Sequence, residues 1–196
     1  MRRFPTRPAV EALETRETPS TLSPLSAVHG LPRVHAAAAR GHVSVRETVP
    51  RLFNAQLSGR AEVPASPSRA TGSAILLVDK AGAAIRYAID ITKVNNIASI
   101  QLFLGAPGAN GPAVATLYRP AALGQAPNHG RLPRGLLTAG SLVGPLQGAS
   151  IADLAAQIRA GNVYMSIATD DGVPPVESTP GDLPTGEIRG QLRSVK

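Results

Sequence analysis

From Leu52 to Leu192 the apolar residues come in short runs, often alternating with polar ones, and Gly, Pro, Asn or Ser closes each run. A period of two sends successive side chains to opposite faces of an extended chain, so these runs read as strands. Ala84–Ile91 is the clearest: Ile85, Tyr87, Ile89 and Ile91 share one face, while Ala84, Arg86, Ala88 and Asp90 share the other. Lys80-Ala81-Gly82 joins it in a hairpin to a strand at Thr71–Asp79. Further strands are expected at Phe53–Leu57, Ile97–Leu104, Ala113–Tyr118, Gly135–Val143, Val163–Thr169 and Glu187–Leu192. In Ile97–Leu104 the alternation sets Ile100, Leu102 and Leu104 against Ser99, Gln101 and Phe103. One segment breaks the pattern. Ser150 is placed to cap a helix over about Ile151–Ala160, whose apolar stripe is Ile151, Leu154, Ala155 and Ile158, with Gly161 at its end. Many short strands with one helix predict an all-β fold, a two-layer antiparallel Greek-key β-sandwich.

Residues 1–50 differ in kind. Met1 to Pro24 is rich in Pro, Thr, Ser, Arg and Glu with scattered aliphatics, and only Ala9–Arg16 has a helical spacing. Such a composition buries little apolar surface and predicts a largely disordered leader before a domain at 51–196. Leu25–Ala39 is mildly apolar, but His29, Pro32, Arg33 and His35 interrupt it as a signal-peptide core. The longest apolar stretches stay under ten residues, far short of the roughly 20 that a membrane-spanning helix requires.

The formal charge of +7 raises the question of a polyanionic partner. It divides into +3 on residues 1–50 and +4 on residues 51–196, with the basic residues scattered singly and six aromatics in the whole chain. Clustered Lys/Arg with stacking aromatics is the expected footprint of nucleic-acid binding, so the charge reads as ordinary solubility charge. With no Cys there is no disulfide, thiolate metal site or cysteine nucleophile. No nucleophile elbow, phosphate loop or dinucleotide fingerprint occurs, and Gly105-Ala106-Pro107-Gly108 is a turn between strands. The four His are His29, His35 and His42 in the leader and His129 in a Pro-rich loop, where solvated side chains are expected. Asp170-Asp171-Gly172, with Glu177 and Asp182 in the same loop, offers oxygen ligands of the kind Ca²⁺ takes, without a strict loop spacing. Arg189 alternates with Ile188 and is expected to pair with an acid such as Glu62 or Asp90, or else to contact an anion.

Two resemblances add to this. Val10-Glu11-Ala12-Leu13-Glu14-Thr15-Arg16-Glu17-Thr18-Pro19-Ser20 resembles the LExLExRxxPS segment that opens many large bacterial surface proteins, which implies export. Over the domain, Phe53-Asn54-Ala55-Gln56-Leu57-Ser58-Gly59 with Glu62-Val63-Pro64 resembles F-x-A-x-L-S-G-x-x-E-V-P. Ala70-Thr71-Gly72-Ser73-Ala74, Gly105 to Pro112, Ala160 to Tyr164 and Gly186-Glu187-Ile188-Arg189-Gly190-Gln191-Leu192 resemble four further motifs in the same order. Their joint spacing is similar to the CHRD domain, first described in chordin and widespread in bacterial extracellular proteins. The resemblance implies an all-β extracellular module. Many members carry A-H-I-H before the Gly-rich turn and Y-x-N-x-H-T in a later strand. Here the three matching positions hold Gln101, Phe103 and Ala168.

The expectation is therefore a non-enzymatic extracellular or cell-surface module. It would use no cofactor, metal or nucleic acid, and its partner would be an unidentified protein or cell-surface component. The candidate contact residues are Gln101, Phe103, Ala168 and Arg189. The alternative, a metal-binding or enzymatic sandwich protein, is weakened by the loss of the three imidazoles.

Overall fold

The computed structural model describes residues 51–123, 130–132, 134–176 and 178–195, and the leader, His129 and Glu177 lie outside these. Alternation becomes burial almost residue by residue. In β1 (Leu52–Ser58), Phe53, Ala55 and Leu57 are buried and their neighbours are not. β2 (Thr71–Val78) buries Ala74, Leu76 and Val78, and β3 (Ala84–Thr92) buries Ile85, Ile89 and Ile91. Each fully buried Leu or Ile contributes roughly 1.5–3 kcal/mol, which fixes which face of each strand turns inward. The hairpin between β2 and β3 turns at Gly82, whose φ of 72° suits glycine, and Asp79 accepts the Ala83 N–H at 2.9 Å.

β4 (Ile97–Leu104), β5 (Ala113–Tyr118), β8 (Val163–Thr169) and β9 (Ile188–Gln191) fall where the alternation placed them. The expected strand at Gly135–Val143 is shorter. β7 covers Gly135–Thr138, then Thr138 and Ser141 bond one another across a single 3-10 turn, and Leu142 bridges Ala115. Two-residue strands β6 (Gly130–Arg131) and β10 (Arg193–Ser194) pair with β3 and β1. The helix α1 (Ile151–Arg159) has the expected cap: Ser150 Oγ accepts from the Asp153 N–H, and the Asp153 carboxylate accepts from the Ser150 N–H. Its four stripe residues are buried.

All ten strands belong to one antiparallel sheet with the order β5-β4-β8-β9-β1-β2-β3-β6. The non-sequential pairs β4–β8 and β9–β1 are those of a Greek-key path. The two layers are the halves of this one curled sheet. Its far ends meet: Tyr87 Oη of β3 donates to the Leu117 carbonyl of β5, and the Val143 N–H donates to the Val114 carbonyl at 2.9 Å. Phe53, Leu76, Ile85, Leu102, Ile167 and Leu154 share the core, and α1 packs its stripe onto it.

Candidate functional site

Register places the three sequence-selected positions on one outward face of β4 and β8. Across β4, β8 and β9, Phe103 lies opposite Tyr164 and Tyr164 opposite Gln191. In the next row Gln101 lies opposite Ser166 and Ser166 opposite Arg189. Ala168 faces Ser99, so it is a diagonal neighbour of Gln101, with Phe103 two rows away from it. Gln101, Phe103 and Ala168 are half-buried. Gln101 Nε2 donates to Thr116 Oγ1 on β5 at 3.2 Å.

The chemistry of this face centres on Tyr164. The Phe103 ring stacks on it at 5.1 Å between centroids and 9° between planes, and Arg189 Cζ stands 3.4 Å from the Tyr164 ring centroid. Since β8 runs between β4 and β9, the two partners flank the tyrosine from opposite strands. A guanidinium close over a ring face is held by the ring quadrupole, more strongly when both are withdrawn from water. Arg189 is only 2% exposed.

Its hydrogen bonds correct the expected pairing. Asp90 is bonded to Arg131 instead, at 3.1 Å. Arg189 Nη1 donates to Asn110 Oδ1 at 2.9 Å and Nη2 to the Ala109 carbonyl at 2.7 Å, so its hydrogen bonds clamp the Gly105–Pro112 turn. Its charge nevertheless reaches Glu62, where it opposes the effect of burial. Asn110 passes the link onward, Nδ2 donating to the Val63 carbonyl at 2.6 Å. The Gly111 N–H donates to Tyr164 Oη at 3.3 Å, and a Cβ on Gly111 would sit 1.7 Å from the Leu104 carbonyl oxygen, so this turn closes only with glycine. Gln191 Nε2 donates to the carbonyls of Gly105 and Gly161 at 3.0 and 2.7 Å.

Two further carboxylates are buried: Glu62, which the sequence offers only as a partner for Arg189, and Glu187, which has no site role in the sequence reading. Glu187 is fully buried; Oε1 accepts from Ser68 Oγ at 2.6 Å, and Oε2 from Thr169 Oγ1 at 2.7 Å and the Gly181 N–H at 2.9 Å. Its own carbonyl accepts from Ser66 Oγ at 2.6 Å. Glu62 accepts from Ser166 Oγ at 2.7 Å and presses against Gly186, where φ is 138° and a Cβ would lie 2.7 Å from Glu62 Oε1. Burial pushes the Glu62 carboxyl above its ordinary 4.5, against the opposing pull of the Ser166 hydroxyl and the Arg189 charge. Glu62, Ser166, Tyr164, Phe103 and Asn110 line one cleft of about 660 Å³.

The raised carboxyl gives a pH signature. Below the ordinary value of 4.5 Glu62 is protonated folded or unfolded, and the stability held there is lost as pH rises through the higher folded value. Glu62→Gln does not titrate and keeps an acceptor for Ser166. Urea unfolding across that range is expected to show the variant gaining on the wild type as pH rises; a pH-independent difference would contradict this assignment.

The Asp170 loop folds as its composition allowed. Carboxylate oxygens of Asp170, Asp171 and Asp182 come within 4.8 Å of one another, forming the one cluster with metal-ligand chemistry found among the described residues. Asp170 and Asp171 also accept the Gly172 and Val173 N–H groups, at 2.7 and 2.8 Å, which shapes the turn. No described helix is long and apolar enough to cross a membrane.

The residues brought together here are those of the spaced motifs: Glu62 and Val63, Asn110 and Gly111, Tyr164, and Arg189 and Gln191. A comparison with curated proteins and with solved structures finds no match. A family model, that of the CHRD domain, matches residues 53–192, from the first buried phenylalanine to the end of the last motif. The chain therefore belongs to the CHRD domain family.

Proposed function

We propose that this protein is a non-catalytic module of the cell exterior that works through surface contacts, with residues 1–50 as an export-associated leader. One observation carries the reading. The polar groups that converge on the β4–β8–β9 face are bonded to one another and to loop backbone, with Arg189 clamping the Gly105–Pro112 turn. A catalytic site holds its reactive groups toward substrate, whereas these hold the fold. Gln101, Phe103 and Ala168 supply no imidazole for a metal, and Phe103 adds an aromatic surface to the cleft. The scattered basic residues support a protein or cell-surface partner over nucleic acid.

Lys80 and Lys93 are exposed and serve as handles for a test. A membrane-impermeant lysine cross-linker applied to intact producing cells is expected to convert the full chain into a discrete heavier species. Reaction only after lysis would overturn the location, and reaction on intact cells without a heavier species would overturn the contact role.

A further inference from the structure

The outward face of β1, β2, β3 and β7 departs from the alternation that shapes the rest of the sheet. Ile75 and Leu77 point away from the core of β2 and are 53% and 46% exposed, and Leu136 of β7 is 57% exposed. The register makes them one patch: Leu77 lies opposite Leu52 and Arg86, Ile75 opposite Ala88, and Arg86 opposite Leu136. Leu52, itself exposed, extends the patch onto β1. Clustered apolar residues of this size on a solvent face mark interaction surfaces more often than scattered ones do. The patch lines a groove of about 510 Å³, and Arg86, between Leu77 and Leu136 in the register, lines it together with Arg134.

The two charges identify the occupant. Arg86 and Arg134 are exposed, and among the described residues neither is ion-paired, since Asp90 on the same face is committed to Arg131. A second copy packed face to face would bring these like charges together, which disfavours self-association. A lipid surface is usually met with Trp and Phe at the interface. This chain has no Trp, and its described phenylalanines are Phe53 in the core and Phe103 in the cleft. Apolar side chains interleaved with two guanidiniums that have no ion pair instead match a peptide that presents apolar and acidic side chains together. We propose that this groove docks an acidic amphipathic segment of a partner protein, an inference that rests on the contact reading and names its surface.

The probe is a labelled synthetic amphipathic helix with Leu on one face and Glu on the other, titrated into the full chain by fluorescence anisotropy. Its Lys-for-Glu counterpart, phosphatidylglycerol vesicles and sedimentation of the chain alone serve as controls. The acidic helix is expected to bind in preference to the basic one. Binding should weaken on the order of tenfold in Ile75→Ser/Leu136→Ser, and similarly in Arg86→Glu/Arg134→Glu. These positions are solvent-facing, and unchanged thermal unfolding of the variants verifies that they fold. Equal binding of the two helices, unaffected variants, association with vesicles alone, or self-association lost in the serine variant would each overturn the proposal. The heavier species on intact cells should also disappear in the serine variant. If it persists, this groove is wrong while the contact reading stands; if the wild type never forms it, both fall.

Discussion

Replacement of Glu187 by Ala is expected to lower the unfolding free energy by about 3–5 kcal/mol, among the largest effects of any single side chain in the domain. The carboxylate accepts three hydrogen bonds and is fully buried. Its donors come from three places: Ser68 from the loop between β1 and β2, Thr169 from the end of β8, and Gly181 from the loop before β9. Removing the acceptor strands the Gly181 N–H, and each buried donor left without a partner costs roughly 1–3 kcal/mol. The hydroxyls of Ser68 and Thr169 are tied further, accepting the Ala70 and Leu183 N–H groups at 3.0 Å each. Glu187→Gln should recover part of the loss, since one amide oxygen can still accept while the amide NH₂ meets a hydroxyl already in use. Urea unfolding measures both variants, and a loss below about 1 kcal/mol for the Ala variant would contradict the role given to Glu187.

Replacement of Arg189 by Met is expected to cost about 3 kcal/mol, and replacement by Lys to restore little of it. Methionine keeps an apolar stem against Tyr164 but leaves Asn110 Oδ1 and the Ala109 carbonyl without their donor. A lysine carries one compact charge, which cannot reach both acceptors and cover the Tyr164 ring as the planar fork does. The loss should also depend on pH. The Arg189 charge lowers the Glu62 carboxyl from the value that burial alone would give it, so without the charge ionisation becomes costlier. The Met variant should therefore fall further behind the wild type as pH rises through the Glu62 titration. A gap that is constant with pH would separate Arg189 from Glu62, and full recovery in Arg189→Lys would remove the case for the fork geometry.

Much of this fold was legible in period-two alternation, because burial on one face is the strongest force acting on a short strand. The hairpin at Gly82 and the capped helix at Ser150 were also legible, since turn and cap chemistry are local. What escaped has physical causes. β6 and β10 have two residues each, too few to show a period. Gly135–Val143 reads as one strand until Thr138 and Ser141 bond across the 3-10 turn. The partner of Arg189 lies 79 residues away in a Gly-rich turn, and carbonyl acceptors leave no charge in the sequence to find, so an acid was expected instead. Glu187 stood at the start of a strand with nothing to announce that two loops and the end of β8 would converge on it. The motif spacing was the one signal that could have found these residues, because Glu62, Asn110, Tyr164, Glu187 and Arg189 all fall inside it.

The central claim is that the face holding Gln101, Phe103 and Ala168 serves the fold and holds no transition metal. Thermal unfolding of the full chain in excess Cu²⁺ and, separately, Zn²⁺ tests it most directly, because an ion bound to the native state alone raises the midpoint in step with its concentration. The midpoint is expected to be unchanged by either ion. A midpoint that climbs with the logarithm of metal concentration, and still does so in Asp170→Asn/Asp171→Asn, which removes the carboxylate cluster of the Asp170 loop, would contradict it.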